Sequence, residues 1–486
     1  MGLVRNLVFL FTIASCLLPS ISLADTPPDL PEKIDALMKQ VMSMDAFSGN
    51  VLVARDGKVV YQKSFGYADW ERKTPLTDST VFNIGSNGKD FTQTLICQLV
   101  QEGKLHFEDR LNQFLKVFPE EMAHKITIRH LLTMSSGMGD YMQSPRFEHG
   151  KYRSIPELVS FIKDEPLFFE PGTDRLYSNS GYVVLGGIIE KVTGKSYPEN
   201  VRERILKPLG MMRSVFVFPD TKGVRDKAMG TEISLSGEKR NEQRVQSTLI
   251  PTSAGGMYSS APDMLKFYEA WLFSDILLKD EMKIQLFSRY DPKPGAKWSE
   301  MVDDKNFISA LAGGLNGWNS VVFQIPSQRY TIIVLSNFDE NGQPAEQVGS
   351  CISRIIRNMD CDPMVKPFGR SSYQYIKTNG IVDYVTHFMQ FVEKNGYQVE
   401  GPMLLNAFGY DLIGEKELNM AVEVFKLNIK LFPEEANGYD SLGEAYWLLK
   451  QKSPALKNYR TALEMSENEN VKERIRKTIK QIEDSR

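Results

Sequence analysis

Cysteine and histidine are scarce in this sequence, with 4 of one and 5 of the other. Neither type clusters at metal-ligand spacing, so these residues call for no metal. With Cys16 set aside, Cys97, Cys351 and Cys361 remain. That number gives no disulfide framework, and the fold has to rest on its core. A bridge between Cys351 and Cys361 is left open, and Cys97, in an apolar helical run, reads as a small buried hydrophobe. Blocks of one charge are also missing. The 58 Lys and Arg and 61 Asp and Glu are interspersed and sum to −3, which points away from nucleic acid and from a polybasic membrane surface.

The apolar run that stands out lies at the start. Residues 1–24 join a short basic start at Arg5, an apolar stretch from Leu7 to Leu18, and Ser22-Leu23-Ala24 ahead of Asp25, the pattern of a cleavable secretory signal. The stretch is too short for a stable membrane span. The mature chain is therefore expected to be exported, periplasmic or secreted, without a transmembrane span. Ile13-Ala14-Ser15-Cys16 also resembles a lipobox, which would anchor the chain at Cys16; the apolar residues after it favour the first reading.

At 486 residues and 42% hydrophobic, the chain exceeds one ordinary core and is expected to form two or three domains. Its centre of interest is Phe82-Asn-Ile-Gly-Ser86-Asn-Gly-Lys89, where an extended run turns into a helix. A helix starting at Gly85 or Ser86 stacks the Lys89 ammonium over the Ser86 hydroxyl. The cation and the helix N-terminus both favour an ionising serine. The same spacing occurs at Ser160/Lys163 and Ser236/Lys239. Ser160 lies in an amphipathic helical pattern with Leu158, Phe161 and Ile162, which makes it a solvated face. Ser236 lies in a polar loop.

Asp29 to Ser43 reads as an amphipathic helix. Phe47 to Tyr67 gives two β-rich runs around Asp56-Gly57, a strong hairpin signal. Helical segments and glycine-rich loops follow, with helices from Ser86 to about Gly103 and from Val183 to Thr193. Strand-like runs return at Phe307–Leu311, Trp318–Gln324 and Tyr330–Leu335, ahead of a helix from Pro344 to Met359. Strands at both ends of a mainly helical middle imply an α+β domain over 25–367, one sheet with an inserted helical subdomain. From 368 to 486 helices dominate. Gly409 and Gly443, Ala421 and Ala455, and Phe425 and Tyr459 are each 34 residues apart, the tetratricopeptide period. Helices at Asp383–Lys394 and Val471–Glu483 are expected to cap that stack. This all-α domain is either a stabilising appendage or a surface for a protein partner.

Tyr177-Ser178-Asn179 supplies the other site candidates. A phenol near a lysine has its ionised form favoured and can take the Ser86 proton. Asn179 can hold Lys89 and the substrate.

These features resemble the serine β-lactamase and penicillin-binding superfamily, in particular its class C β-lactamases, D-alanyl-D-alanine carboxypeptidases and esterases. The resemblance covers roughly Asp29 to Met359. It rests on the hairpin, Ser86/Lys89, His130-Leu-Leu-Thr-Met-Ser-Ser-Gly137, Pro171-Gly172-Thr173, Tyr177/Asn179, Pro208-Leu-Gly-Met211, Gly255-Gly256 with Asp263, and Leu335-Ser-Asn337. It implies a β-lactamase/transpeptidase-like antiparallel sheet flanked by helices. It also implies acylation of Ser86, with Lys89 and Tyr177 shuttling its proton and Asn179 positioning, and no metal or organic cofactor. The Ser86 N–H would form half of an oxyanion hole, and the edge strand at Gly313 or Gly314 the other half.

One departure matters. Where the family has His-x-Gly or Lys-Thr-Gly before Gly314-Leu-Asn-Gly-Trp318, this chain has Leu311-Ala312-Gly313. Loss of that side chain weakens capture of a substrate carboxylate. The expected activity is an exported serine hydrolase acting on a small ester, amide or peptide. The alternative is a weak or inactive hydrolase domain that serves as a scaffold, with the repeats binding a partner. Met134 replaces a frequent family histidine, and Gly88, a poor helix former, costs about 1 kcal/mol relative to alanine.

Overall fold

The structure is a computed structural model, and it describes residues 29–221, 223–242, 248–339, 344–362 and 364–485. The leader, residues 1–24 with Cys16, lies outside the described residues. Two compact units are present. One holds the chain up to Glu232 together with Arg240–Asp362, and the other holds Ile233–Lys239 and the chain from residue 363 on. The sequence places this division at 367/368.

In the first unit, helix α1 (Leu30–Ser43) precedes the hairpin of β1 (Gly49–Arg55) and β2 (Lys58–Phe65). The turn is Asp56-Gly57, both at positive φ, as a tight hairpin requires. The other strands of the sheet arrive more than two hundred residues later as β3 (Ser309–Leu315), β4 (Trp318–Ile325) and β5 (Tyr330–Ser336). They complete one antiparallel sheet in the order β2-β1-β5-β4-β3. Leu52 lies opposite Ile333 in β5, which lies opposite Val322 in β4. These three residues share the main core of this unit.

Their neighbours point the other way, where Val321 and Phe323 meet Gly349 of helix α5 (Pro344–Ile356). With both faces covered, β1 and β5 read as continuous apolar runs rather than alternating ones. Between β2 and β3 lie the helices that carry the site. They include α2 (Gly88–Gln101), α3 (Asn179–Thr193) and α4 (Ala261–Phe273).

Strand β3 extends past the expected Leu311 through Gly313 and Gly314, which pair with Ser320 and Asn319 of β4. Glycine's low strand propensity is overridden by that pairing. Cys351 and Cys361 form a disulfide, closing the bridge that the spacing left open. Cys97 is buried and free.

The second unit carries α6 (Phe368–Asn379), α7 (Ile381–Thr386), α8 (Phe388–Asn395), α9 (Met403–Gly414), α10 (Leu418–Leu431), α11 (Ala436–Leu448), α12 (Lys452–Met465) and α13 (Glu469–Asp484). The single helix expected over Asp383–Lys394 is broken at His387 (φ −107°, ψ 19°). The break sets both Tyr384 and Phe388 into the core, their rings 5.5 Å apart.

Consecutive helix pairs repeat the same contact. Gly409 lies against the Phe425 ring, and Gly443 lies against the Tyr459 ring. Across one period, Tyr410 donates to Glu444 (2.9 Å), and Arg474 pairs with Asp440 (2.5 Å).

A Cβ on Gly409 would stand 2.8 Å from Phe425 Cδ1, with other ring atoms nearer, whereas one on Gly414 meets nothing within 4 Å. Helix propensity alone favours alanine by about 1 kcal/mol at either position. Overpacking costs about 1–3 kcal/mol and wins at the first. Gly409→Ala is therefore expected to lower the thermal midpoint of the full chain, and Gly414→Ala to leave it unchanged or raise it.

Candidate active site

Ser86 sits in a single 3-10 turn, Gly85–Asn87, that feeds α2. The extended pair Phe82–Asn83 before it is held against Tyr258–Ser259. Gly88 is explained by crowding, since a Cβ there would stand 2.9 Å from Gly255 Cα. The propensity lost at Gly88 lets the backbone of 254–256 reach the site. The two decoy pairs lie elsewhere: Ser160 is an exposed helix residue, and Ser236 is in a hairpin turn.

Lys89 is 4% exposed, and each of its three donors finds an acceptor. They are Ser86 Oγ at 3.1 Å, Asn179 Oδ1 at 2.7 Å and Ala254 O at 2.6 Å. Tyr177 Oη is 2.5 Å from Ser86 Oγ, and the Lys89 Nζ lies 4.8 Å from the Tyr177 ring centre. Two loop bonds place the tyrosine, from Gly172 N to Ser135 O (2.8 Å) and from Leu176 N to Met134 O (3.0 Å). Ser178 then caps α3, its hydroxyl accepting from Gly181 N (2.8 Å) and donating to Gly139 O (3.0 Å).

Gly313 and Gly314 meet the Ser86 turn through backbone. A Cβ on Gly313 would stand 2.8 Å from Ser86 N, and one on Gly85 (φ +49°) would stand 2.7 Å from Gly314 N. The structure thus gathers Ser86, Lys89, Tyr177, Asn179, Gly313 and Gly314 in one place. Leu311 contributes no polar side chain; its carbonyl accepts from Asn87 Nδ2 (3.3 Å).

Two residues that the motif reading passed over support these. Asp140 Oδ2 accepts from Asn179 Nδ2 (2.9 Å), while its Oδ1 accepts from Met142 N (3.1 Å). This fixes which end of the Asn179 amide faces Lys89. Burial raises the pKa of Asp140. Its signal in the sequence was an aspartate placed to cap a turn just after the Ser-Ser-Gly loop. Asn87 is the second. Ser320 Oγ donates toward its Oδ1 (2.8 Å), and its Nδ2 donates to Tyr268 Oη (3.1 Å), which in turn donates to Asp90 (2.6 Å).

Other motif residues are structural. Asp263 accepts from Arg213 N (2.7 Å) and Ser214 Oγ (3.1 Å), and Asn337 donates to Tyr67 O and Met229 O (both 2.9 Å). Among the described residues, no group of acids, histidines and cysteines is arranged to hold a metal.

A serine at a sheet edge, with a lysine and a tyrosine on its hydroxyl, is an arrangement that suits a serine hydrolase. The chain belongs to the β-lactamase family, whose profile matches residues 34–349 and so includes every site residue above. Penicillin-binding protein 4* of Bacillus subtilis (strain 168) is 28% identical over 359 residues, 69% of this chain and 78% of that one. Protein flp of Staphylococcus aureus (strain MW2) is 27% identical over 330 residues, 65% of either chain. Among solved structures, the octameric penicillin-binding protein homologue from Pyrococcus abyssi superposes with a TM-score of 0.59 at 26% identity, over 72% of this chain and 81% of that one.

Asp90, buried beside Lys89, has its carboxyl raised to about 7 by desolvation, against the opposing pull of Tyr268, Asn87 and Lys89. In the unfolded chain it ionises near pH 4. Between those values the unfolded state releases the proton first, so stability falls as pH rises from about 4 to 7 and stays lowered above. Asp90→Asn keeps an oxygen for Tyr268 and lacks this penalty. Its unfolding free energy is expected to gain on wild type between pH 4 and pH 8, by on the order of 4 kcal/mol at the upper end, as denaturant titrations at each pH would read.

Proposed function

We propose that the protein is an exported hydrolase that cleaves small esters or amides through an acyl-Ser86 intermediate. The observation that carries this reading is the pair of contacts on Ser86 Oγ, from Lys89 Nζ at 3.1 Å and Tyr177 Oη at 2.5 Å. Tyr177, acting as its phenolate, takes the Ser86 proton as Oγ bonds to the carbonyl carbon, and the negative charge passes to the carbonyl oxygen. The Lys89 ammonium, 3.1 Å from Oγ, stands beside the charge as it moves. The oxyanion that forms is received by the N–H groups of Ser86 and Gly314. Tyr177 returns the proton to the leaving oxygen or nitrogen as that bond breaks. A water then loses a proton to Tyr177 and attacks the acyl carbon, and Tyr177 passes that proton to Oγ as the acid is released.

With Leu311 and Ala312 where the family carries a cation or donor, a carboxylate on the leaving-group side goes unrecognised. The reading therefore favours neutral leaving groups over β-lactams and D-alanine-terminated peptides. Export is supported by the Cys351–Cys361 disulfide, which persists in oxidising compartments. We also read the helical unit as tetratricopeptide-like, on the contacts repeated at 34 residues, with a protein segment as its partner.

Treatment with a fluorophosphonate is expected to add mass to Ser86, and Ser86→Ala to take up none and to lose nitrophenyl-ester hydrolysis. Tyr177→Phe is expected to lower kcat by a factor of about 10²–10⁴. Labelled penicillin should acylate more slowly than the neutral ester. Absence of an adduct, with Ser86→Ala as fast as wild type, overturns the reading. The exported protein is expected to begin at Asp25, as N-terminal sequencing would read; a retained leader overturns that part.

A further inference from the structure

Asn87 follows Ser86 and occupies the N-cap position of α2, yet its side chain makes no cap bond to that helix. An asparagine there ordinarily accepts from an N–H of the first turn. Here the amide, 1% exposed, reaches sideways. Its Nδ2 lies 3.3 Å from Leu311 O and 3.1 Å from Tyr268 Oη, and its Oδ1 lies 2.8 Å from Ser320 Oγ. A backbone carbonyl only accepts, so the end that faces Leu311 O is the NH2. Tyr268 gives its own proton to Asp90 and takes the second N–H. The other end of the amide is then the carbonyl, and the buried Ser320 hydroxyl donates to it. Ile84 O (3.0 Å) and Gly313 O (3.2 Å) stand around the same hydroxyl.

One side chain thus crosses between the two elements that carry the oxyanion donors. Ser86 N belongs to the turn, next to Asn87, and Gly314 N belongs to β3, in the same strand as Leu311. β3 stands last in the sheet order, with β4 on one side. On the other side it meets the turn, where a Cβ on Gly313 would stand 2.8 Å from Ser86 N and 2.9 Å from Asn87 N. The glycines allow that approach but have no side chains to hold it. The bond from Asn87 to Leu311 O fixes where β3 lies along the turn, and the bond from Ser320 fixes the turn on β4.

We propose that Asn87 is a positioning residue for acyl transfer: its amide ties β3 to the Ser86 turn and so sets the separation of the Ser86 and Gly314 N–H groups. The inference rests on the acyl-Ser86 reading. Donors of this kind act fully only when aimed at the place where charge develops in the transition state. A β3 free to shift along the turn misplaces one donor at that moment and leaves ground-state binding as it was. Asn87 therefore acts on kcat rather than on KM.

The test uses Asn87→Leu, which keeps a branched side chain and removes both hydrogen-bonding ends, and Ser320→Ala, which leaves Asn87 in place and removes the donor to its carbonyl. On 4-nitrophenyl acetate, Asn87→Leu in the full chain is expected to lose about tenfold in kcat with KM unchanged, and Ser320→Ala to lose less. Amide hydrogen exchange is expected to speed up across Ser309–Leu315 in Asn87→Leu and to stay as in wild type across Tyr330–Ser336, in the middle of the sheet. An unchanged kcat, or a loss carried by KM alone, overturns the proposal. If exchange rises in both strands, Asn87→Leu has loosened the whole sheet and Ser320→Ala decides: a lower kcat at constant KM supports the tie, and wild-type kinetics overturn it. If the wild-type protein takes no acyl group on Ser86, the acyl-Ser86 reading fails and exchange judges the tie. Faster exchange confined to β3 then supports it, and equal exchange overturns it.

Discussion

A buried lysine ammonium is the constraint to which the rest of this site answers. Removing a charge from water costs several kcal/mol unless each of its donors is met. Lys89 has three donors and, at 4% exposure, no water to fall back on. The chain meets them from three separate segments: the Ser86 hydroxyl, the N-terminal residue of α3, and the carbonyl of Ala254 in the turn before α4. Each acceptor then has to be held in turn. Asp140 orients the Asn179 amide, the close approach of Gly88 and Gly255 admits the Ala254 turn, and Gly85 and Gly313 let β3 lie against the serine. The glycines thus stand where backbone must approach backbone, and the polar side chains where an acceptor must not rotate.

That dependence also explains how much of the site was legible beforehand. Ser86 and Lys89 could be picked from three equal spacings because a turn from extended chain into helix is a local signal. Tyr177 and Asn179 are neighbours in the chain, so their pairing needed only one placement in space. Asp140 escaped because its role depends on a contact 39 residues away. The Ser320 contacts under the turn span more than 230 residues. The same holds for the fold. The hairpin, the apolar strands and the 34-residue period are patterns within one stretch of chain. The run of β3 through two glycines is decided by the partner strand, and the break at His387 by the core that Tyr384 and Phe388 fill.

Gly88 shows why a rule broken locally is worth following. A glycine in the first turn of α2, between Ser86 and Lys89, is a poor choice for a helix by about 1 kcal/mol. Alanine would gain that amount and push Gly255 away, and with it the carbonyl of Ala254 that takes one of the three Lys89 donors. Losing a charged hydrogen bond at a buried site costs about 1.5–3 kcal/mol. That loss outweighs the gain in helix propensity, so glycine is the residue that fits.

The electrostatics of the site follow from the same burial. The chain has Leu311 where the motif it resembles carries a cation or donor side chain. The positive field at Ser86 then depends on Lys89 and on which charges oppose it. Asp90 and Asp140 are the carboxyl groups that contact this cluster, and burial raises both. A neutral carboxyl near the lysine withdraws nothing from its field, whereas an ionised one cancels part of it. Desolvation disfavours the ionised form of both acids and so works against that cancellation.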